Sequence, residues 1–503
     1  MTFPSRRRAL RPLAALTAVS AALTLLSGCV VADGTRDGSS ASQAQQSTAE
    51  DNLQTLTSAL RSYAVVDAKT TPSSDAHLFG LPGAKSLAAA TEKVVLGGFE
   101  SAGAFGDRKA FSPVVTDPSE RWEASRFTAP TANQPTASTS AQPTASANTP
   151  GTTGGEVDYS NRVLAAGGDY LISAVTENRA PKSPQLGAPG TSAPAPSSTP
   201  ASAPAAATTV FVTDLAEDTT VEAADLFTTK TDPGAIGADE TGALTVGGEP
   251  VDTDDLTALG RTVTTALHTP VNLPQGADER DPDYSCALLP CVALTYDDGP
   301  GETSIEDKLL ADAQDAKIRL TYFLLGKNVE HNPGVVGRMA EAGHELGNHS
   351  WSHPQLSKES PDAVKKQIGD TDKAIEKAGG GKVTVMRPPY GAMSKASAKA
   401  IDHPAIMWDV DTEDWRHKSA SMIVDAVRAA AKPGSVVLMH SIHPTTIDAA
   451  PEVFKTIADE GLYAVTVSDL FSEKTMESGA EYFCRGYATA LCSNPEHPAV
   501  HRN

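Results

Sequence analysis

The sequence predicts an α/β protein, a parallel sheet of about seven strands closed into a distorted barrel over residues 285–481, preceded by an α+β accessory domain over 50–275. Three observations carry this expectation. From Cys286 onward, short apolar runs alternate with helical segments at the spacing of βα units. Upstream, β-branched or alternating stretches such as 169–175 and 209–213 read as strands. Finally, 35 Pro and 39 Gly among 503 residues gather in patches, which is the composition of ordered domains interrupted by disordered loops.

The chain begins as an exported one. Arg6, Arg7 and Arg8 precede an apolar run from Ala9 to Leu26, and Leu26-Ser27-Gly28-Cys29 resembles a bacterial lipobox, with cleavage before a lipid-modified Cys29. Residues 1–28 are therefore expected to leave the mature protein and 29–49 to form a flexible tether. Removing 1–28 takes away four Arg and no acid, moving the formal charge from −21 to −25. Such a surface repels nucleic acid and anionic lipid headgroups. No later segment has the 18 or so apolar residues that span a bilayer, so the expected membrane contact is the lipid alone. Composition says nothing about oligomeric state.

The remaining four cysteines fall in two close pairs, Cys286 with Cys291 and Cys484 with Cys492. In an exported chain this points to two disulfides, whereas neither spacing suits a zinc site. Within the accessory domain, residues 128–155 and 181–209 are Ala/Pro/Ser/Thr-rich and bury too little apolar surface to offset ordering entropy.

In the barrel, strands are expected at 291–295, 320–325, 344–347, 382–387, 405–410, 435–439 and 463–467. Helix signals lie between them: Thr303 with Glu306 as a capping box, a run from Pro333 to Ala342, and Ser360-Pro361 opening a run to Ala378. In parallel barrels the chemistry sits at the C-terminal ends of the strands. There the sequence places Asp297-Asp298 in a Gly-Pro turn, and His349 with His353 at a spacing that would bring both imidazoles to one face of a helical turn. Two imidazoles and a carboxylate form the three-ligand set of a catalytic metal with an open position.

Five clusters in order resemble the NodB-homology polysaccharide deacetylases, carbohydrate esterase family four. They are Thr295-Tyr296-Asp297-Asp298-Gly299-Pro300, His349-Ser350-Trp351-Ser352-His353, Arg387-Pro388-Pro389-Tyr390, Asp411-Thr412-Glu413-Asp414-Trp415 and Leu438-Met439-His440. The resemblance implies that Asp298, His349 and His353 ligate a divalent metal, zinc by default with cobalt, nickel or manganese as alternatives. It implies Asp297 as general base and His440 as general acid, oriented by Arg387 and Asp411 respectively. The backbone N–H of Tyr390 would stabilise an oxyanion, and Trp415 and Leu438 would form apolar walls.

Two departures stand out: Tyr296 adds a hydroxyl beside the paired acids, and Ser441 follows His440 where family members often carry aspartate. The expected activity is removal of N-acetyl groups from an amino-sugar polymer of the cell wall, most naturally peptidoglycan, by an envelope lipoprotein on the outer face of the membrane. Chitooligosaccharide or acetylxylan deacetylation, and a catalytically silent glycan binder, are the alternatives. The 482–503 tail lies beyond the resemblance.

Overall fold

The computed structural model describes residues 38–67, 74–102, 157–179, 207–278, 280–416, 419–472 and 476–485. The expected signal segment 1–28, Cys29, Cys492, the low-complexity stretch 128–155 and most of 181–209 lie outside these residues.

Helix α1 (Gly38–Ala59) leads into a six-stranded sheet. Its strands, in spatial and chain order, are β1 (Arg61–Asp67), β2 (Ser74–Gly80), β3 (Val157–Gly167), β4 (Tyr170–Arg179), β5 (Ala207–Asp214) and β6 (Thr219–Glu222). All pairs are antiparallel except β2 with β3. Helix α2 (Lys85–Ser101) covers this sheet through Leu87, Ala88, Val95 and Phe99. A small three-stranded sheet, β7 (Ile236–Ala238), β8 (Leu244–Val246) and β9 (Glu249–Pro250), and helix α3 (Ala258–Ala266) complete the α+β part. Helix α1 starts at Gly38, so part of the stretch 29–49 expected as a tether is helical. No proline interrupts that stretch, and the helix is anchored downstream by the buried Leu56.

The second sheet has the order β12–β11–β10–β15–β14, with β16 sharing an edge of β10, and all its pairs are parallel. The chain runs β10 (Cys291–Asp297), α4 (Thr303–Asp315), β11 (Thr321–Leu324), α5 (Gly326–His331), α6 (Pro333–Glu341) and β12 (Glu345–Asn348). It continues through α7 (Pro361–Lys377), α8 (Lys395–Ala400), β13 (Ala405–Ile406), β14 (Val410–Asp411), α9 (Ala420–Ala430) and β15 (Val436–His440). The last elements are α10 (Pro444–Asp459), β16 (Tyr463–Val465), α11 (Val467–Leu470) and β17 (Glu481–Tyr482).

The strands' two-residue side-chain period sorts the core. Val292, Leu294 and Tyr296 of β10, Tyr322 and Leu324 of β11, and Val437 and Met439 of β15 pack against Leu309, Val336, Ile423 and Val453 of the covering helices. The alternate residues Cys291, Ala293, Phe323, Val436 and Leu438 face a second core, which also takes in Tyr63 and Val65 of β1 and Tyr284 from the connection between the two sheets.

Several expectations need correction. Residues 382–387 form no strand; only Met386 bridges, to Asn348 on one side and Ala405 on the other. The expected 405–410 strand is split into β13 and β14 where the backbone carbonyls of Ile406, the last residue of β13, and of Met407 accept hydrogen bonds from the buried Arg387 guanidinium. Glu306 makes no capping box: α4 is capped at Glu302 with no side-chain bond, and Glu306 points into the interior. Paired and buried residues continue past the expected boundary at 481. Tyr482 belongs to β17, which pairs with β13; Phe483 and Cys484 are buried, and Cys484 bridges to Ser435. Cys286 and Cys291 form the expected disulfide, and Cys484 is also disulfide-bonded.

Leu309 is fully buried where α4 meets β10 and β11. Leu309→Ala is expected to lower stability by about 2–5 kcal/mol, the range for emptying a well-packed aliphatic site, measured by urea denaturation.

Candidate active site

The polar residues gather where strands β10, β12 and β15 end. Asp297 and His440 are the last residues of β10 and β15 and are paired partners in the parallel register, so the two strands hold them side by side. After Asp297 the chain turns at Asp298, whose φ is 68°. Its carbonyl accepts from Asn328 Nδ2 of α5 at 2.7 Å, which fixes the turn from outside.

The histidine pair does not stand on a helix. Residues 349–353 form a loop with positive φ at Ser350 and His353, stabilised by side-chain acceptors. Asn348 Oδ1 accepts from Ser350 N, Ser350 Oγ from His353 N, and Gln367 Oε1 of α7 from both Trp351 N and Ser352 N. These bonds bring the rings together as a helical turn would, with centroids 5.0 Å apart. Close packing requires Gly326 beside the loop, since a Cβ there would lie 2.3 Å from the Trp351 ring.

Asp298 Oδ1 stands 3.7 Å from His349 Nε2 and 3.6 Å from His353 Nε2, and the three atoms form one cluster able to hold a cation. Their chemistry fits a divalent ion. Asp298 Oδ1 is buried with no hydrogen-bond partner among the described residues. His349 Nδ1 bonds the Arg387 carbonyl at 2.7 Å, which leaves the Nε2 lone pair facing the cluster. Burial pushes His349 down to about 3, against the opposing charge of Asp298, so its imidazole is neutral as a ligand must be.

Asp297 lies beside this cluster, with Oδ2 3.7 Å from His349 Nε2. Burial raises its pKa above the ordinary carboxylate range, and Arg387 works in the opposite direction. Arg387 is itself wholly buried. Its Nη1 donates to Asp297 Oδ1 and Thr295 Oγ1, each at 2.8 Å, and its Nε and Nη2 donate to the Ile406 and Met407 carbonyls. The guanidinium carbon lies 4.3 Å from the centroid of the Phe323 ring.

His440 is partnered by Asp414, which corrects the expected pairing with Asp411. Nδ1 of His440 bonds Asp414 Oδ1 at 2.8 Å, while Asp414 Oδ2 accepts from the His440 backbone N–H and from Thr446 Oγ1. Burial alone would lower the imidazole pKa, but the hydrogen bond and charge of Asp414 override it and raise His440 to about 9. Asp411 instead accepts from Glu413 N. Both acids belong to one five-residue cluster, and sequence spacing cannot tell which one turns toward the strand end. Glu413, between them, holds a positive φ.

Around these groups, Tyr390 is half exposed with a φ of 62°, its ring 4.5 Å from that of His353, and Trp415 is likewise half exposed. Leu438 is buried in the core below His440 rather than open to the site. Tyr296 does not stand beside the acids. It faces the covering helices, stacked on Tyr322, because strand alternation turns it away from Asp297. Ser441, also fully buried, donates to Glu306 Oε1.

The family model described as polysaccharide deacetylase matches residues 287–404. The peptidoglycan-N-acetylglucosamine deacetylase PgdA of Listeria monocytogenes serotype 1/2a (strain 10403S) is 42% identical over 192 residues, 38% of this chain and 41% of that protein. The peptidoglycan-N-acetylmuramic acid deacetylase PdaC of Bacillus subtilis (strain 168) is 38% identical over 203 residues, 40% of this chain and 42% of that protein. A peptidoglycan-N-acetylglucosamine deacetylase of Bacillus cereus is 35% identical over 187 residues, 36% of this chain and 68% of that protein. The chain thus spans about two-fifths of the length of the first two relatives.

Removing Arg387 would leave Asp297 buried without its counter-charge. Arg387→Ala is expected to cost about 3–5 kcal/mol, the usual penalty for orphaning one partner of a buried ion pair, and the loss is read from the shift in chemical denaturation.

Proposed function

We propose, because this chain belongs to the polysaccharide deacetylase family, that it hydrolyses N-acetyl groups of amino sugars in peptidoglycan. The observation that carries this reading is the pairing of two proton-transfer groups beside the cation cluster. Asp297, held by Arg387, and His440, held by Asp414, end neighbouring strands. A glycan-binding protein would have no use for both.

Asp298, His349 and His353 would hold a divalent ion, zinc by default, that supplies Lewis acidity at the acetamide carbonyl and acidifies water. Asp297 accepts the proton of the attacking water, and Arg387 keeps that carboxylate ionised and aimed. His440, protonated below about pH 9, gives its proton to the amine nitrogen as the C–N bond breaks. The products are acetate and a free amino sugar, and no other reactant is needed. The backbone N–H of Tyr390 is suited to the oxyanion and the half-exposed Trp415 to apolar contact with the acetyl methyl or a sugar face, whereas Leu438 only packs beneath the site.

Three further readings belong with this function. The bridges of Met386 to Asn348 and Ala405, the β13–β17 pair and the Ser435–Cys484 bridge support closure of the second sheet into a distorted barrel. Residues 50–275 are read as an accessory domain, with 285–481 plus the first residues of the tail as the catalytic one. Lipid attachment at Cys29 would hold the enzyme on the outer face of the membrane, near the wall glycan named for its relatives.

Purified peptidoglycan incubated with the enzyme is expected to release acetate, with release lost on chelation and restored by zinc or another first-row divalent ion. Undiminished turnover by metal-free enzyme, or release from acetylxylan alone, would overturn the reading. Asp297→Asn and His440→Ala should each lower kcat by roughly 10²–10⁴ while metal content stays intact, since both lie outside the ligand set.

The pH dependence follows from Asp414. Its charge raises His440, so the acid form persists to about pH 9. Asp414→Asn removes the charge and leaves the ring buried, so the alkaline limb of the kcat profile is expected to move down toward neutral pH.

A further inference from the structure

Glu306 lies on α4, outside the five motif clusters, and its carboxylate is fully buried. Burial raises its pKa, with bonds from Gly301 and Ser441 opposing. A buried carboxylate is costly to a fold and needs partners that offset its desolvation. Here both partners converge on one atom: Oε1 accepts from Gly301 N at 2.7 Å and from Ser441 Oγ at 2.7 Å. Gly301 is four residues beyond Asp297 on the loop leaving β10, and Ser441 directly follows His440 on the loop leaving β15.

The two loops also touch directly. Ser441 N donates to the Asp297 carbonyl at 3.3 Å. At Gly299, an added Cβ would come 2.8 Å from Ser441 Oγ and 3.2 Å from Glu306 Oε1, so the loop lies against the bonded pair with no room for a side chain. Strand pairing sets the spacing of Asp297 and His440 up to the last residue of each strand, and beyond that residue the loops are held by these contacts.

We infer that Glu306 is a positioning residue that ties the loop after Asp297 to the loop after His440 and so keeps the two strand ends, which carry base and acid, from separating. This rests on the deacetylase reading above. The role is that of a shared hydrogen-bond acceptor rather than of a charge, since one oxygen takes both bonds. Glutamine can supply that oxygen. Its amide nitrogen would then take the place of Oε2, which has no hydrogen-bond partner among the described residues.

The test compares Glu306→Ala, Glu306→Gln and Ser441→Ala in the full-length enzyme. Acetate release from peptidoglycan gives kcat and KM, and amide hydrogen exchange is followed in peptides covering 297–301 and 440–443. Glu306→Ala is expected to lower kcat by roughly 10–100-fold with KM and metal content unchanged, as an ångström-scale misplacement of reacting groups does. Exchange should quicken in both segments together. Ser441→Ala, which removes only one of the two bonds and keeps the carboxylate, should lower kcat in the same direction and loosen the same segments. Glu306→Gln should restore both kcat and protection.

Wild-type kcat in Glu306→Ala or in Ser441→Ala, loosening of one segment alone, or a Glu306→Gln enzyme as impaired as Glu306→Ala would overturn the inference. Absence of acetate release from the wild-type enzyme would instead defeat the deacetylase reading, and the exchange measurements would still decide whether Glu306 ties the loops.

Discussion

A buried guanidinium organises the site. Arg387 has no exposed surface, yet all of its donor nitrogens are engaged, by a carboxylate, a threonine hydroxyl and two backbone carbonyls. An unpaired charge at that depth would cost several kcal/mol. The surrounding structure therefore has to bring to it Asp297, Thr295 and the 406–407 backbone, at the break between β13 and β14. The Arg387 backbone contributes as well, since its carbonyl sets the ring orientation of His349. One residue thus touches both the base and a metal-ligand candidate.

The loops at the strand ends show the same economy. Asp298, Ser350, His353, Tyr390 and Glu413 all hold positive φ, which side chains other than glycine adopt only when neighbours over-determine them. The supports are visible: Asn328 on the Asp298 carbonyl, Asn348 and Gln367 on the histidine loop, and the Asp411 side chain on Glu413 N. Such backbone aims side chains inward from loops that are too short to do it with regular structure. It also separates the proton-transfer groups by environment. Asp297 faces a guanidinium and His440 a carboxylate, so the ionised base and the protonated acid are each favoured by the partner behind it.

The accessory part of the chain is continuous with this core. Tyr63 of β1 packs edge-on against Tyr284 and lies 5.9 Å from the Tyr463 ring of β16, at the end of the sheet away from the catalytic groups. Ser285 is held by Glu92 of α2 just before the disulfide that precedes β10. The attachment leaves the strand ends that carry Asp297 and His440 on the opposite side.

Much of this was legible in the sequence. The alternation of apolar runs from Cys286 marked β10, β11, β12, β15 and β16, because a strand buried on both faces must be apolar throughout. Asp297, Asp298, His349 and His353 stood out by their chemistry and spacing, and Arg387 and His440 through the resemblance of the motif clusters. What the sequence could not determine lies in directions set by distant contacts. The histidine spacing fitted a helix, but side chains from Asn348 and Gln367 build a loop instead. Asp411 was the expected partner of His440, but the backbone turns Asp414 toward it instead. Glu306 had the spacing of a capping residue, whereas its partners are Gly301 and, 135 positions away, Ser441. Local pattern determines which residues a strand or helix contains, because periodicity and propensity act over a few residues. Which acid meets which base is decided only when strands far apart in the chain pair in register, since that pairing alone brings their ends together.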